Sequence, residues 1–402
     1  MRLRLSLAVV ALTLACAGAR STGAAARTAA PVPPGFVGMN LDEGTVDSGA
    51  LDPEVGLMPK VGVESVRYAF YWAQAQPYAA AADVPVAERG RFVDAGGVPT
   101  DFSASDRLVE AAARRALQFL PTVMGAPRWN RQYPDRPFSP PARPADYGTF
   151  LRTLIGRYGP RGSFWAAHPG LPRVPIRAWQ VWNEESGPFF WDDDDRGKFP
   201  ATRHRWVRPY LALLKAAHDA IKAADPGARV VLGGLFSASW ISMRQLYRAN
   251  PRAGRLFDVA SIHPYTALPS NVLLTLELNR TVMDRRGDRL KPILVTEFGW
   301  PSAAGRAQPP LGFETNESGQ ARLLRRGLNM VASNRARLRI AGAYWHDWAG
   351  TDSGTSVFAY AGVRHRAGDG RLSSKPAFTA LRSTARALEG CGQRARRPGC
   401  SG

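Results

Sequence analysis

The chain has 402 residues, 45% of them hydrophobic, and a formal net charge of +20 from 53 Lys and Arg against 33 Asp and Glu. That length and apolar content exclude a minimal domain and a disordered tail, and three cysteines exclude a disulfide-dense scaffold. The basic residues are scattered in short pairs, such as Arg114 with Arg115 and Arg325 with Arg326, without a nucleic-acid-binding motif. No nucleic-acid partner is expected, and attraction to an anionic cell-wall polymer is the use that such charge suggests.

At the start, Met1, Arg2 and Arg4 precede an apolar run from Leu5 to Ala15 and small residues through Ala26, the order of an export signal. The run is too short to span a bilayer, so no transmembrane segment is expected. Residues 1–26 read as a signal peptide, cleaved after Ala19 or Ala26, with Cys16 as an alternative lipid-anchor site. The mature protein is expected to be secreted or held at the cell surface.

From residue 35 onward, short apolar β-rich runs alternate with helical patterns, the signature of parallel α/β architecture. Eight candidate strands fall at 36–40, 63–71, 119–124, 176–182, 229–233, 259–263, 292–297 and 340–345. The clearest helix runs from Arg208 to Ala224, with Leu211, Leu214, His218 and Ile221 on one face and Asp225-Pro226-Gly227 as its stop. The fold class expected is α/β, a single-domain (β/α)8 TIM barrel over residues 27–390, with long insertions at 77–100 and 125–144 on the face where barrel active sites sit. A doubly wound open sheet would carry a Gly-rich phosphate loop after its first strand, and none is present. The acidic run Asp192 to Asp195 reads as a solvated loop rather than a calcium site, because its ligand spacing is irregular.

The fourth candidate strand ends in Trp179-Gln180-Val181-Trp182-Asn183-Glu184-Glu185, and the seventh in Val295-Thr296-Glu297-Phe298-Gly299-Trp300. One glutamate after an apolar strand simply turns the chain to solvent. Two of them, each beside tryptophan, argue for a shared pocket, because ionisable groups are seldom placed among apolar neighbours without cause. Paired carboxylates suit glycoside hydrolysis, where one protonates the leaving oxygen and the other attacks or activates water at the anomeric carbon. Trp72, Trp129, Trp182, Trp300, Trp345 and Trp348 all fall at or just past strand ends, where their faces would offer a sugar-binding surface.

Asn183-Glu184 and the Glu297 motif resemble the acid/base and nucleophile positions of clan A retaining glycoside hydrolases, over residues 35–388. The closest likeness is to the β-xylosidase and α-iduronidase group and to endo-acting enzymes that cut bacterial exopolysaccharide. The resemblance implies that Arg67 at the second strand end supports the nucleophile, that Asn183 meets a sugar hydroxyl, and that His263 and Tyr265 come from strand six. It further implies that Trp345 floors the sugar site; Trp300 joins the binding set. Those relatives continue Asn-Glu-Pro, whereas this chain continues with Glu185 and Ser186, so the sugar stays open and Glu185 competes as the acid, but neighbouring strand residues point to opposite faces and Glu184 is the one in the motif.

The function expected is a secreted retaining glycosidase acting on a polysaccharide or oligosaccharide, with no cofactor and no metal. With six histidines in the chain and only His263 and His346 at strand ends, a metal-dependent barrel hydrolase is disfavoured. No G-x-S-x-G nucleophile turn occurs. The alternative from another class is a non-catalytic carbohydrate-binding barrel, which would need neither glutamate. At the tail, residues 391–402, Cys391 and Cys400 are expected to pair as a disulfide.

Overall fold

A computed structural model describes residues 31–195 and 203–391. Export signal, Cys16 and Cys400 lie outside these residues, and Cys391 is the last of them. Among the described residues no helix is long and apolar enough to cross a membrane.

The main sheet has nine strands: β1 (Val37–Asn40), β2 (Ser65–Tyr71), β3 (Gln118–Met124), β4 (Ala178–Val181), β5 (Arg229–Val231), β6 (Leu235–Phe236), β7 (Ala260–His263), β8 (Ile293–Phe298) and β9 (Ile340–Trp345). All its neighbours pair in parallel, in the order β5-β4-β3-β2-β1-β9-β8-β7-β6. Every residue of β1, β7 and β8 is buried, as expected of parallel strands covered on both faces. The sheet is curled. Its two ends are β5, which takes up the first part of the fifth candidate strand, and β6, which lies just past that strand beyond Gly233 and Gly234; Leu232 N donates to Val259 O at 2.9 Å just ahead of β7.

A helix follows each strand unit: α1 (Leu51–Leu57), α2 (Ser103–Ala113), α3 (Pro144–Tyr158), α4 (Val207–Ala224), α5 (Ser239–Ala249), α6 (Pro269–Asp284), α7 (Glu317–Ser333) and α8 (Pro376–Glu389). Helix α4 buries Val207, Tyr210, Leu214, Ala217 and Ile221, a stripe at alternating three- and four-residue steps. Leu211 and His218, expected on that face, sit half-buried at its edge because the alanines carry the centre of the stripe. Helix α3 packs closely on α4 through Gly148, where a Cβ would stand 2.9 Å from Ala216 O. The insertion at 77–100 is not bare loop but holds short 3-10 turns and a two-stranded ribbon pairing Val93 with Thr100. Between β9 and α8 lies a small three-stranded sheet built from residues 349–350, 364–366 and 372–374.

Candidate active site

The ladder of β4 stops at Val181, because Trp182 and Glu184 take left-handed backbone conformations, at φ 70° and 45°. For non-glycine residues this costs on the order of 1–3 kcal/mol each, and the surroundings must hold it. Trp182 N donates to Val123 O at 3.0 Å, its indole NH donates to Phe190 O, and Gly187 N closes a turn onto Glu184 O at 2.7 Å. The chain therefore coils instead of continuing as a pleat. This coil, not strand alternation, sends Glu184 into the mouth of the sheet and Glu185 beneath it.

Glu297 arrives from β8. Its Oε1 accepts from Arg67 Nη1 at 2.7 Å and its Oε2 from the Tyr265 hydroxyl at 3.0 Å. Arg67, buried on β2, is fully engaged: Nε donates to Gln180 Oε1 at 2.8 Å, Nη1 also to Asn40 Oδ1 at 2.6 Å, and Nη2 to Asn183 Oδ1 at 2.7 Å. Asn40 in turn donates to Thr296 O and Trp345 O, tying β1 to β8 and β9. One guanidinium thus sets the orientation of Glu297 and of the asparagine that precedes Glu184.

Glu184 meets His263, whose Nδ1 lies 2.8 Å from Glu184 Oε1 while its Nε2 lies 2.9 Å from Thr296 Oγ1. Gly234 makes room for that ring, since a Cβ there would lie 2.0 Å from His263 Nε2. Glu184, His263 and Glu297 each present one nitrogen or oxygen atom within 4.8 Å of the others. Three such atoms could gather a cation, but Arg67 already delivers a fixed positive charge to Glu297, which lessens the need for one.

The two carboxyls sit in unlike fields. Burial pushes Glu184 up, and the Glu297 charge adds to this, against the downward pull of His263. Burial would push Glu297 up as well, but the pull of His263, Arg67 and His346, with the Arg67 hydrogen bond added, outweighs it and holds the group down at about 2. Arg67 is the one of these that stays charged at every working pH. The pair therefore sets a carboxyl pushed toward its protonated form beside one held toward its ionised form, the division of labour that acid-assisted nucleophilic substitution needs.

Of the residues expected from sequence, Arg67, Asn183, Glu184, His263, Tyr265 and Glu297 come together. His263 is fully covered and engaged at both nitrogens, so it positions Glu184 rather than meeting a sugar. Trp300 and Trp345 need a correction. They are 1% and 0% exposed, and Trp300 donates its indole NH to Thr266 O, so neither face is open to a ligand. Trp72, Trp182 and Trp348 are likewise buried, and only Trp129 is partly open. These rings pack the layer under the mouth, where burying each large side chain contributes about 1.5–3 kcal/mol.

Sequence reasoning assigned no role to Asn40, Gln180 or Thr296, although each is a polar residue at the C-terminal end of a parallel strand, and that position was the available signal. It also placed the last site residue one position early. His346, not Trp345, reaches Glu297, its Nδ1 3.8 Å from Oε2, with the ring edge-on to Tyr265 and Phe358.

Glu185 is fully buried, in a niche that Gly233 leaves open; a Cβ there would lie 1.9 Å from Glu185 Oε2. Burial, reinforced by the Glu184 charge, pushes it up to about 8. It is no rival acid, because it is sealed away from the mouth. A raised carboxyl pKa means that the folded chain keeps a proton which the unfolded chain releases above its ordinary value near 4.5. Stability should therefore fall as pH rises from about 4.5 to about 8, by roughly 3 kcal/mol between pH 5 and 7.5, where each unit is worth about 1.4 kcal/mol. Denaturant midpoints against pH are expected to lose this slope in Glu185→Gln; equal slopes in both proteins would refute the assignment.

No family profile and no curated protein sequence matches the chain. Among solved structures it is similar to glycoside hydrolases. One is a family 39 glycoside hydrolase from the gut symbiont Bacteroides cellulosilyticus WH2, with TM-score 0.62 and 18% identity over 89% of this chain and 64% of that one. A monomeric β-xylosidase from Caulobacter crescentus CB15 aligns at TM-score 0.57 and 15% identity, over 89% of this chain and 69% of that one. A family 51 α-L-arabinofuranosidase from Bifidobacterium longum aligns at TM-score 0.56 and 14% identity, over 88% of this chain and 73% of that one. The chain spans 64% of the length of the first of these. These neighbours are glycosidases, and at these identities the likeness is one of fold.

Proposed function

We propose that the curled sheet is a (β/α)8 barrel and that its mouth hydrolyses O-glycosidic bonds with retention of configuration. The observation that carries this is the opposed state of two carboxyls whose oxygens lie within 4.8 Å: Glu297 held ionised at about 2 and Glu184 pushed up. In retaining glycosidases the carboxyl groups stand ~5–5.5 Å apart, and in inverting ones ~6.5–9.5 Å, to admit water. In the first step the Glu297 carboxylate attacks the anomeric carbon and the bond to the leaving oxygen breaks, while Glu184 gives that oxygen its proton. In the second, a water loses a proton to Glu184 and its oxygen displaces Glu297, restoring both groups. Asn183, its Oδ1 fixed by Arg67, has its amide NH2 left for a sugar hydroxyl, and Tyr265 keeps Oε2 of Glu297 in line.

The neighbours include a β-xylosidase, an α-L-arabinofuranosidase and an exo-β-1,4-mannosidase, so 4-nitrophenyl glycosides of these sugars are the first substrates to try. At least one is expected to release nitrophenol, and Glu297→Gln to stop it. Carbohydrate binding without turnover of any glycoside or polysaccharide would favour the non-catalytic barrel instead, although binding alone gives no use for the pKa split.

The same reading includes export after the signal at residues 1–26, a catalytic domain over 27–390, and secretion or lipid anchoring through Cys16. The net charge of +20 suits retention by an anionic cell-wall polymer, which added salt should release. Pairing of Cys391 with Cys400 would close a short loop worth ~2–3 kcal/mol in the chain-entropy view. No thiol is expected to titrate in denatured, exported, unreduced protein; two reactive thiols would refute the pairing.

A further inference from the structure

The segment after Glu184 carries an exposed phenylalanine on a firmly tied loop. Phe189 is 65% exposed, yet its flanks are fixed: Gly187 N bonds Glu184 O at 2.7 Å, Phe190 packs edge-on to Phe138 at 5.1 Å and receives the Trp182 indole NH at its carbonyl, and Trp191 is buried against Trp182. The loop thus holds Phe189 out toward solvent. The ring is not isolated. It stands edge-on to Phe236, centroids 6.3 Å apart, and Phe236 lies in sheet register with His263, the residue that holds Glu184. Gly187 is matched to this arrangement, since a Cβ there would come within 2.4 Å of the Phe236 ring. The two rings therefore form a shelf beside Glu184, on its His263 side.

Glu184 is the group that protonates the leaving oxygen, so what lies beside it faces the departing half of the substrate. We propose that the Phe189–Phe236 shelf is a binding subsite for the leaving group, stacking the apolar face of the sugar ring next in the chain. The proposal rests on the retaining-glycosidase reading and deepens it: the leaving group is a ring that the protein recognises rather than an arbitrary alcohol. In the second step the same shelf receives an incoming sugar, whose hydroxyl gives its proton to Glu184 as its oxygen displaces Glu297, so transfer to sugars should compete with hydrolysis.

The test uses the full exported chain and two substrates of one glycone, the sugar whose 4-nitrophenyl glycoside is cleaved fastest. The nitrophenyl glycoside has an aromatic leaving ring to stack; the glycosyl fluoride has none. Phe189→Ala should lower the ratio of kcat/KM on nitrophenyl glycoside to that on fluoride by about five- to tenfold, the worth of one aromatic stacking contact. Phe189→Trp should restore the ratio, which a merely disturbed loop would not allow. An unchanged ratio, with both substrates still turned over, would overturn the shelf and leave the glycosidase reading standing. Failure of the wild-type protein to turn over any fluoride or nitrophenyl glycoside would overturn both.

Discussion

Glu297→Gln is expected to cut kcat on the order of 10⁴-fold or more, whatever the leaving group, because the amide can form no glycosyl ester at the anomeric carbon. Glu184→Gln should behave differently. Its loss, about 10²–10⁴-fold on substrates whose leaving oxygen needs a proton, should shrink on 2,4-dinitrophenyl glycosides, whose leaving group departs without one. The asymmetry follows from the site: Glu297 is pinned between Arg67 and Tyr265 with its charge preserved, while Glu184 sits against His263 with its pKa pushed up. Steady-state rates on the two substrate types settle the assignment. Equal losses for both variants on both substrates, or substantial activity in Glu297→Gln, would contradict it.

Arg67→Ala is expected to damage activity and stability together. The guanidinium is buried and serves Glu297, Asn40, Gln180 and Asn183 at once, so its removal leaves one buried charge and three polar side chains short of a partner. Breaking a buried pair in this way costs about 3–5 kcal/mol. Sequence alone suggests a loss of catalysis without loss of fold, because it pairs Arg67 with Glu297 only; the other three partners change that expectation. Without the positive charge Glu297 should titrate higher, so the acidic limb of the pH–activity profile should move to higher pH. Arg67→Lys should keep part of the charge effect and lose the forked contacts. A variant as stable as the wild type, with an unmoved acidic limb, would refute this role.

What was legible in the sequence is what depends on strand ends. Asn183, Tyr265 and Glu297 each stand at or just past the C-terminal end of a parallel strand, and such positions converge on one mouth wherever the strands curl round together, whereas Arg67, expected at a strand end, is the third residue of β2 and gets to Glu297 on its long side chain. Less legible was anything set by a local backbone turn or by what covers a side chain. The left-handed conformations at Trp182 and Glu184 decide which of two adjacent glutamates faces the mouth, and they arise from packing against Val123 and Phe190, remote from any pattern in residues 179–185. The niche for Glu185 exists only because residue 233 is glycine. The tryptophans read as a sugar surface because they cluster at strand ends, but a large ring there can turn inward as readily as outward, and Trp300 and Trp345 pack on each other with centroids 6.1 Å apart. The rings left facing solvent, Phe189 in a loop and Phe358 in the short 3-10 turn Val357–Tyr360, lie in segments without a periodic signal.

The central claim is that Glu297 forms a covalent glycosyl intermediate while Glu184 handles the proton. Proton NMR of the first minutes of hydrolysis of the best 4-nitrophenyl glycoside reads this directly, before mutarotation scrambles the product. Two displacements at one carbon restore its configuration, so the first sugar released should carry the same anomeric configuration as the substrate. Release of the opposite anomer would mean a single displacement by water, and would remove Glu297 from its role as nucleophile.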